Sequence, residues 1–194
     1  MSVDRLWNTD ERTNGIIGWG LLGVVLLSAA QSFLAARYLW GGFELLFVVV
    51  AALPVLFSRD WRVLVPWPLL LVGAVAMGAQ SLGLHQELTA YTAVAAFALV
   101  GVAELEAYTE VEMSRRFAIA FAALTTMAIQ GIWTIVRFYS DQLLGTEYIQ
   151  SQADVQWDFV FVTLVALVFS GAFELYFKQA DDAGSQEEPT VNET

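Results

Sequence analysis

Between residues 130 and 158 an otherwise apolar chain carries Gln130, Arg137, Asp141, Asp154 and Asp158. Carboxylates that a fold gathers together present hard oxygen ligands, the donor type suited to a divalent cation. A guanidinium among them weakens that reading. Arg137 stands four residues before Asp141, the spacing at which two helical side chains share a face and pair. Glu44 joins the set because the apolar stretch after it is too short to cross a bilayer alone, which places its carboxyl inside the apolar zone. Its expected partner is Arg137, in a structural ion pair. Glu44, Arg137, Asp141, Asp154 and Asp158 therefore form the candidate polar or ion site. His85, Gln130, Glu104 and Glu174 are secondary candidates; Glu104 and Glu174 fall near inner helix ends, within reach of Arg115, Arg116 or Lys178. With no Cys and one His, thiolate chemistry and a histidine-rich centre within one chain are excluded. No nucleophile–base pair stands out, so no catalytic residue and no cofactor are assigned, and a bound divalent cation stays open.

The elements that must hold these residues are membrane helices. Of the 194 residues 57% are hydrophobic and 15% charged, and the mean hydropathy is +0.58. Too little polar surface remains to cover a water-soluble domain. A spanning helix needs about 20 mainly apolar residues. Six runs qualify: 15–39, 40–57, 66–84, 88–105, 116–139 and 157–177. The expected fold is all-α, a six-helix transmembrane bundle over residues 15–178 between a cytoplasmic segment 1–14 and an acidic, disordered cytoplasmic tail 179–194. The first run exceeds a signal-peptide core, and acid outnumbers base before it. Orientation follows from loop charge: Arg5, Arg12, Arg59, Arg62, Arg115, Arg116 and Lys178 fall on one side, Arg37 and Arg137 on the other. The basic side faces the cytoplasm, so both ends are cytoplasmic and the expected location is the plasma membrane. Trp40, Trp61, Trp67 and Trp157 fall near span ends, as interfacial aromatics do.

Local signals refine these spans. Pro66 and Pro68 suit a first helical turn, and Pro54 is placed to kink the second helix. Thr109-x-x-Glu112 and Ser151-x-x-Asp154 read as helix-start caps. Gly18-x-Gly20-x-x-Gly23 matches a dinucleotide fingerprint in letters only. It lies inside an apolar run, where small residues, continued by Ser28, Ser32 and Ala36, let helices approach closely. A G-x-x-E-L segment ends in Leu45, Leu105 and Leu175, but its glutamates sit at different depths, so it is read as coincidence. Gln31, Gln80 and Gln130 lie deeper, in three helices, and read as interhelical hydrogen-bonding groups or one polar seam. Residues 140–156 form the longest outer connection.

The stretch Trp133, Phe138, Asp141, Gly145-Thr146, Gln150-Ser151, Asp154, Trp157-Asp158 and Thr163 resembles the YjdF-like family of small inner-membrane proteins. Its signature runs W-E-x-x-E-F-x-x-D-x-x-x-G-T, then Q-S, then D-x-x-W-D with an Asp-Thr pair. The segment 104–111 also looks like that family's fourth helix and inner loop, and the resemblance covers about residues 80–170. It implies a six-helix membrane protein and no particular activity. Where the family carries two glutamates this chain has Thr134 and Arg137, where it carries a third aspartate it has Val162, and Tyr91-Thr92 occupy the region of its His-Phe pair.

By this topology Glu44, His85, Glu87, Arg137, Asp141, Glu147, Asp154 and Asp158 lie on or near the outer side, either as a solvated acidic rim or as a vestibule for a cation or substrate. The net charge of −11 argues against a nucleic-acid partner and is read as adaptation to high salt. Three functions compete: a non-catalytic scaffold, sensor or accessory subunit; a small cation or solute transporter or channel using outer carboxylates; and a metal-dependent membrane enzyme with a degenerate site. The lipid bilayer is the expected surrounding, with a membrane-protein partner or a homo-oligomer as the expected company.

Overall fold

The structure is a computed structural model that describes the backbone of residues 11–108 and 115–185, with side chains for 12–105, 117 and 120–172. The described residues are all helix and connection: α1 Glu11–Leu34, α2 Tyr38–Ala51, α3 Leu53–Ser58, α4 Trp67–Ser81, α5 Gln86–Tyr108, α6 Arg115–Leu144 and α7 Gln152–Ser185. Five stretches are long and apolar enough to cross a membrane: Arg12–Leu34, Tyr38–Ser58, Gln86–Leu105, Ala120–Leu144 and Gln152–Ala172. The remaining expected span is the shorter α4, whose 15 residues rise about 22 Å at 1.5 Å each.

Proline chemistry sets the second span. Pro54 cannot donate to the helix ladder and its ring crowds the carbonyl four residues back, so α2 stops at Ala51 and α3 restarts the same rod at Leu53. Pro68 occupies the first turn of α4, where a missing N–H leaves nothing unpaired. The α1–α2 turn closes with Ala36 left-handed at φ 57° and Arg37 N–H on the Ser32 carbonyl at 2.8 Å. This six-to-one bond is the Schellman closure, and Gly83 at φ 74° supports the same closure of α4 through Leu84 N–H on Ala79 O.

Before α4 the chain runs non-helical over residues 59–66, yet Leu64 and Val65 are buried. Backbone groups there need partners, because lipid offers none. Asn14 of α1 supplies them. Its amide donates to Leu64 O at 3.0 Å and accepts from Trp67 N at 2.8 Å. Asn14→Ala is expected to cost about 1–3 kcal/mol, the penalty for leaving buried backbone groups unpaired. Thermal unfolding in detergent measures it, and a change inside error would show that water reaches this turn.

α1 packs on α2 and α4, α4 on α5, and α5 on both α6 and α7, which pack on each other. Close approach is local. A Cβ on Gly18 would sit 2.9 Å from Leu64 Cδ1, whereas Gly20 and Gly23 face open space, so only the first glycine of that run serves contact. Large apolar side chains such as Ile16, Leu27, Val49, Val75, Ile132 and Val168 point outward, the arrangement of a bundle solvated by acyl chains.

Several expectations change here. α6 continues to Leu144, five residues past the expected end at Tyr139, because its last turn is held by the loop that follows. α7 continues to Ser185 instead of ending at Phe177; Gln, Ala and Asp beyond the apolar run are compatible with a solvated helix, and residues 186–194 of the expected tail lie outside the described residues. Trp40, near the start of α2, is buried against Trp133 and Phe43, with ring centroids 5.2 and 5.6 Å away. Trp61 and Trp157 are exposed. The Thr109–Glu112 cap lies outside the described residues.

Candidate functional site

Three helices each turn one polar and aromatic stripe toward a common space. On α6 the stripe is Gln130, Trp133 and Arg137; on α7 it is Asp154, Trp157, Asp158 and Phe161; on α5 it is Glu87, Ala90, Tyr91 and Val94. Steps of three and four residues keep side chains on one helical face, so each stripe is a direct product of sequence spacing. Between them lies a cavity of about 460 Å³, closed further by Trp40, Gln80, Gln86, Glu147, Tyr148 and Gln150.

Arg137 organises the wall. Its Nη1 lies 2.8 Å from Asp158 Oδ2, and its Nη2 donates to the Tyr148 carbonyl at 2.6 Å. The second oxygen of Asp158 accepts the Tyr91 hydroxyl at 2.7 Å. One carboxylate therefore ties α5, α6 and α7 together, with the Arg137 and Asp158 side chains 18% and 13% exposed. Tyr91 stacks on Phe161, centroids 5.8 Å apart at 16°, which fixes the phenol toward Asp158.

Asp141 does a different job. It accepts Thr146 Oγ1 at 2.6 Å and the backbone N–H groups of Tyr148 and Ile149 at 2.9 Å each. Gly145, at φ 66°, lets the chain leave α6 and fold back to these contacts. The loop is thereby anchored so that the Tyr148 carbonyl meets Arg137. Ser151 then starts α7, its hydroxyl accepting Asp154 N–H at 3.1 Å, as the capping pattern predicts.

The predicted site is thus divided. Arg137, Asp154, Asp158 and Gln130 meet at the cavity, while Asp141 lies behind it as the loop anchor. The expected Arg137–Asp141 pair does not form, because the loop amides occupy Asp141 and Asp158 presents its carboxylate from the facing helix. The expected Glu44–Arg137 pair does not form either. Glu44 is fully buried where α1, α2 and α4 meet, with Ser28 Oγ at 2.5 Å. His85, at φ 40°, belongs to the α4–α5 turn, where its carbonyl accepts Thr89 N–H, and it does not line the cavity. Glu104 is buried within α5 away from the cavity, its Oε1 without a partner among the described residues. Glu174 belongs to α7, with its side chain outside the described residues. Of the three glutamines, Gln80 and Gln130 line the cavity, whereas Gln31 reaches the Ser81 carbonyl.

Among the described residues no group of three or more His, Cys, Asp or Glu side chains stands close enough to hold a metal ion. Asp141, Asp154 and Asp158 are not a ligand set because one anchors a loop, one faces the cavity and one is held by Arg137 and Tyr91. Sequence reasoning missed Trp133, Tyr148 and the Tyr91 hydroxyl as site groups. The first and last are visible as members of three-and-four spaced stripes; the Tyr148 carbonyl had no signal, since its position depends on a loop fold.

Compared with known proteins, the chain matches one family model, described as a domain of unknown function (DUF8268), over residues 4–64. That stretch runs through α1, α2 and α3 and ends before α4; of the cavity-lining residues it contains Trp40 alone. No curated protein and no solved structure matches the chain.

Proposed function

We propose that this chain is a non-catalytic multi-pass protein of the plasma membrane, a six-helix bundle with both ends cytoplasmic, that captures a small organic cation in its outer cavity as a sensor or carrier. The excess of Arg and Lys in the loops at the opposite end supports the orientation. The observation that carries the binding role is the composition of the cavity wall. Glu87, Glu147, Asp154 and Asp158 face it against the single guanidinium of Arg137, and that guanidinium is already paired with Asp158. Three carboxylates remain uncompensated around aromatic faces that include Trp133, Trp157 and Tyr91. Aromatic faces attract a desolvated cation by about 0.5–2 kcal/mol each, and the carboxylates add long-range attraction. The YjdF-like resemblance is compatible with this placement, since its retained Asp154, Trp157 and Asp158 all line the cavity.

Choline added outside right-side-out vesicles is expected to change tryptophan fluorescence, because three tryptophans line the space. Joint Glu87→Gln and Asp154→Asn substitution is expected to weaken that binding at least tenfold, about 1.4 kcal/mol. Equal binding of the neutral isostere 3,3-dimethylbutanol would remove the cation reading. Binding only from the cytoplasmic face would overturn the orientation.

A further inference from the structure

The seam of α1, α2 and α4 holds a group that the cation-binding reading does not use. Glu44 is the seventh residue of α2, roughly 10 Å into that helix at 1.5 Å per residue, and it is 0% exposed. Ser28 Oγ of α1 lies 2.5 Å from Glu44 Oε1 and 3.0 Å from the Met77 carbonyl of α4. Glu44 Oε2 and the neighbouring Ser32 Oγ, also buried, have no partner of good hydrogen-bond geometry among the described residues.

Counting hydrogens decides what this arrangement is. A serine hydroxyl has one hydrogen to donate. Were Glu44 a carboxylate, its Oε1 and the Met77 carbonyl would compete for that hydrogen, and one close oxygen pair would face lone pair to lone pair. The full negative charge would then have only the Ser28 and Ser32 hydroxyls beside it in an apolar interior, a costly arrangement. Arg37 is the charged group nearest in its field; its two terminal nitrogens donate to the Gln80 and Ser81 carbonyls at the end of α4, its buried Nε has no partner among the described residues, and it makes no hydrogen bond to Glu44. The other neighbours from α1 and α4, Ser28, Ser32 and the Met77 carbonyl, carry no charge, and α5 meets α2 through Phe43, Phe47 and Phe97. A hydrogen on Glu44 removes the conflict. The carboxylic acid donates to Ser28 Oγ, Ser28 donates to Met77 O, and every close oxygen pair contains one hydrogen.

We propose that Glu44 is a proton-binding site: a neutral carboxylic acid within the membrane that links α2 through Ser28 to the α4 backbone. The bound proton is part of the packing. Its removal leaves two acceptors around one hydrogen and works against the contact of α1, α2 and α4. This site is independent of the outer cavity and stands whether or not that cavity binds a cation.

Infrared difference spectroscopy of lipid-reconstituted protein at neutral pH tests it. Wild type minus Glu44→Gln is expected to show loss of a carboxylic-acid carbonyl band with no loss of carboxylate bands. Glutamine donates from the same position, so this variant is expected to keep the wild-type unfolding temperature. Ser28→Ala retains Glu44 and removes its acceptor, and is expected to shift the acid band. Loss of carboxylate bands in Glu44→Gln, or an acid band that Ser28→Ala does not move, would overturn the proposal.

Discussion

Replacing Asp158 with alanine is expected to destabilise the protein by about 2–4 kcal/mol, the range for stranding one partner of a largely buried, hydrogen-bonded ion pair. The change would leave the Arg137 guanidinium with the Tyr148 carbonyl alone and would remove the acceptor of the Tyr91 hydroxyl. Three helices lose their common tie in one substitution. Asp158→Asn is expected to cost less, because an amide oxygen still accepts from Tyr91 while the charge is gone. The double variant Arg137→Met, Asp158→Leu is expected to recover part of the loss, since no buried charge remains unanswered. Unfolding in mixed micelles of wild type, Arg137→Met, Asp158→Leu and the double variant, read by circular dichroism, gives the four values of a double-mutant cycle. A cost for Asp158→Ala below about 0.5 kcal/mol would place the pair with solvated surface bridges and deny it a structural role.

The second large effect is expected at Gly73 in α4. A Cβ there would overlap the ring tip of Phe47, a side chain with no exposed surface in the packed seam between α2 and α4. The ring has little room to yield, because it also packs against Phe97 of α5, centroids 6.3 Å apart. Gly73→Ala is expected to cost about 1–3 kcal/mol through overpacking, and Gly73→Val more. Phe47→Leu shortens the intruding side chain, so the pair Gly73→Ala, Phe47→Leu is expected to be less harmful than the sum of its parts. Strict additivity would mean that the backbones separate and the ring does not resist. Neighbouring Gly78 faces open space, and Gly78→Ala serves as the control expected to leave stability near wild type.

How much of this was legible beforehand differs from residue to residue. Pro54 and Pro68 announce the break in the second span and the start of α4 because proline acts through its own ring. Ser151 announces the start of α7 because a cap is a contact three residues long. Arg137 was legible only as a charge needing an answer. Within its own helix Asp141 was the nearest candidate, and nothing local reveals that two amides of a folded-back loop claim it first. Glu44 was assigned to the outer cluster on depth alone. Depth does not specify azimuth: its side chain turns toward Ser28 on α1 and does not line the cavity among α5, α6 and α7.

The Glu104 and Glu87 carboxylates, both on α5, show the same division. One lies buried near the C-terminal end of the helix and the other lines the cavity, and their environments follow from which neighbours each meets. The stripes themselves were available, since positions 130, 133 and 137 or 154, 157, 158 and 161 share a face by spacing. That these stripes look at one another was not.

By itself the amino-acid sequence determined the apolar helices, most of their limits, the caps and breaks, and the face on which each polar residue lies. These depend on bond geometry and on contacts within about one turn. Only the tertiary structure decided which carboxylate answers Arg137, that Asp141 serves a loop, and that Glu44 stands apart in a second seam. Partner choice in a low-dielectric bundle turns on distances of a few ångströms between helices far apart in sequence, and those distances are set by the rotation and packing of every helix at once.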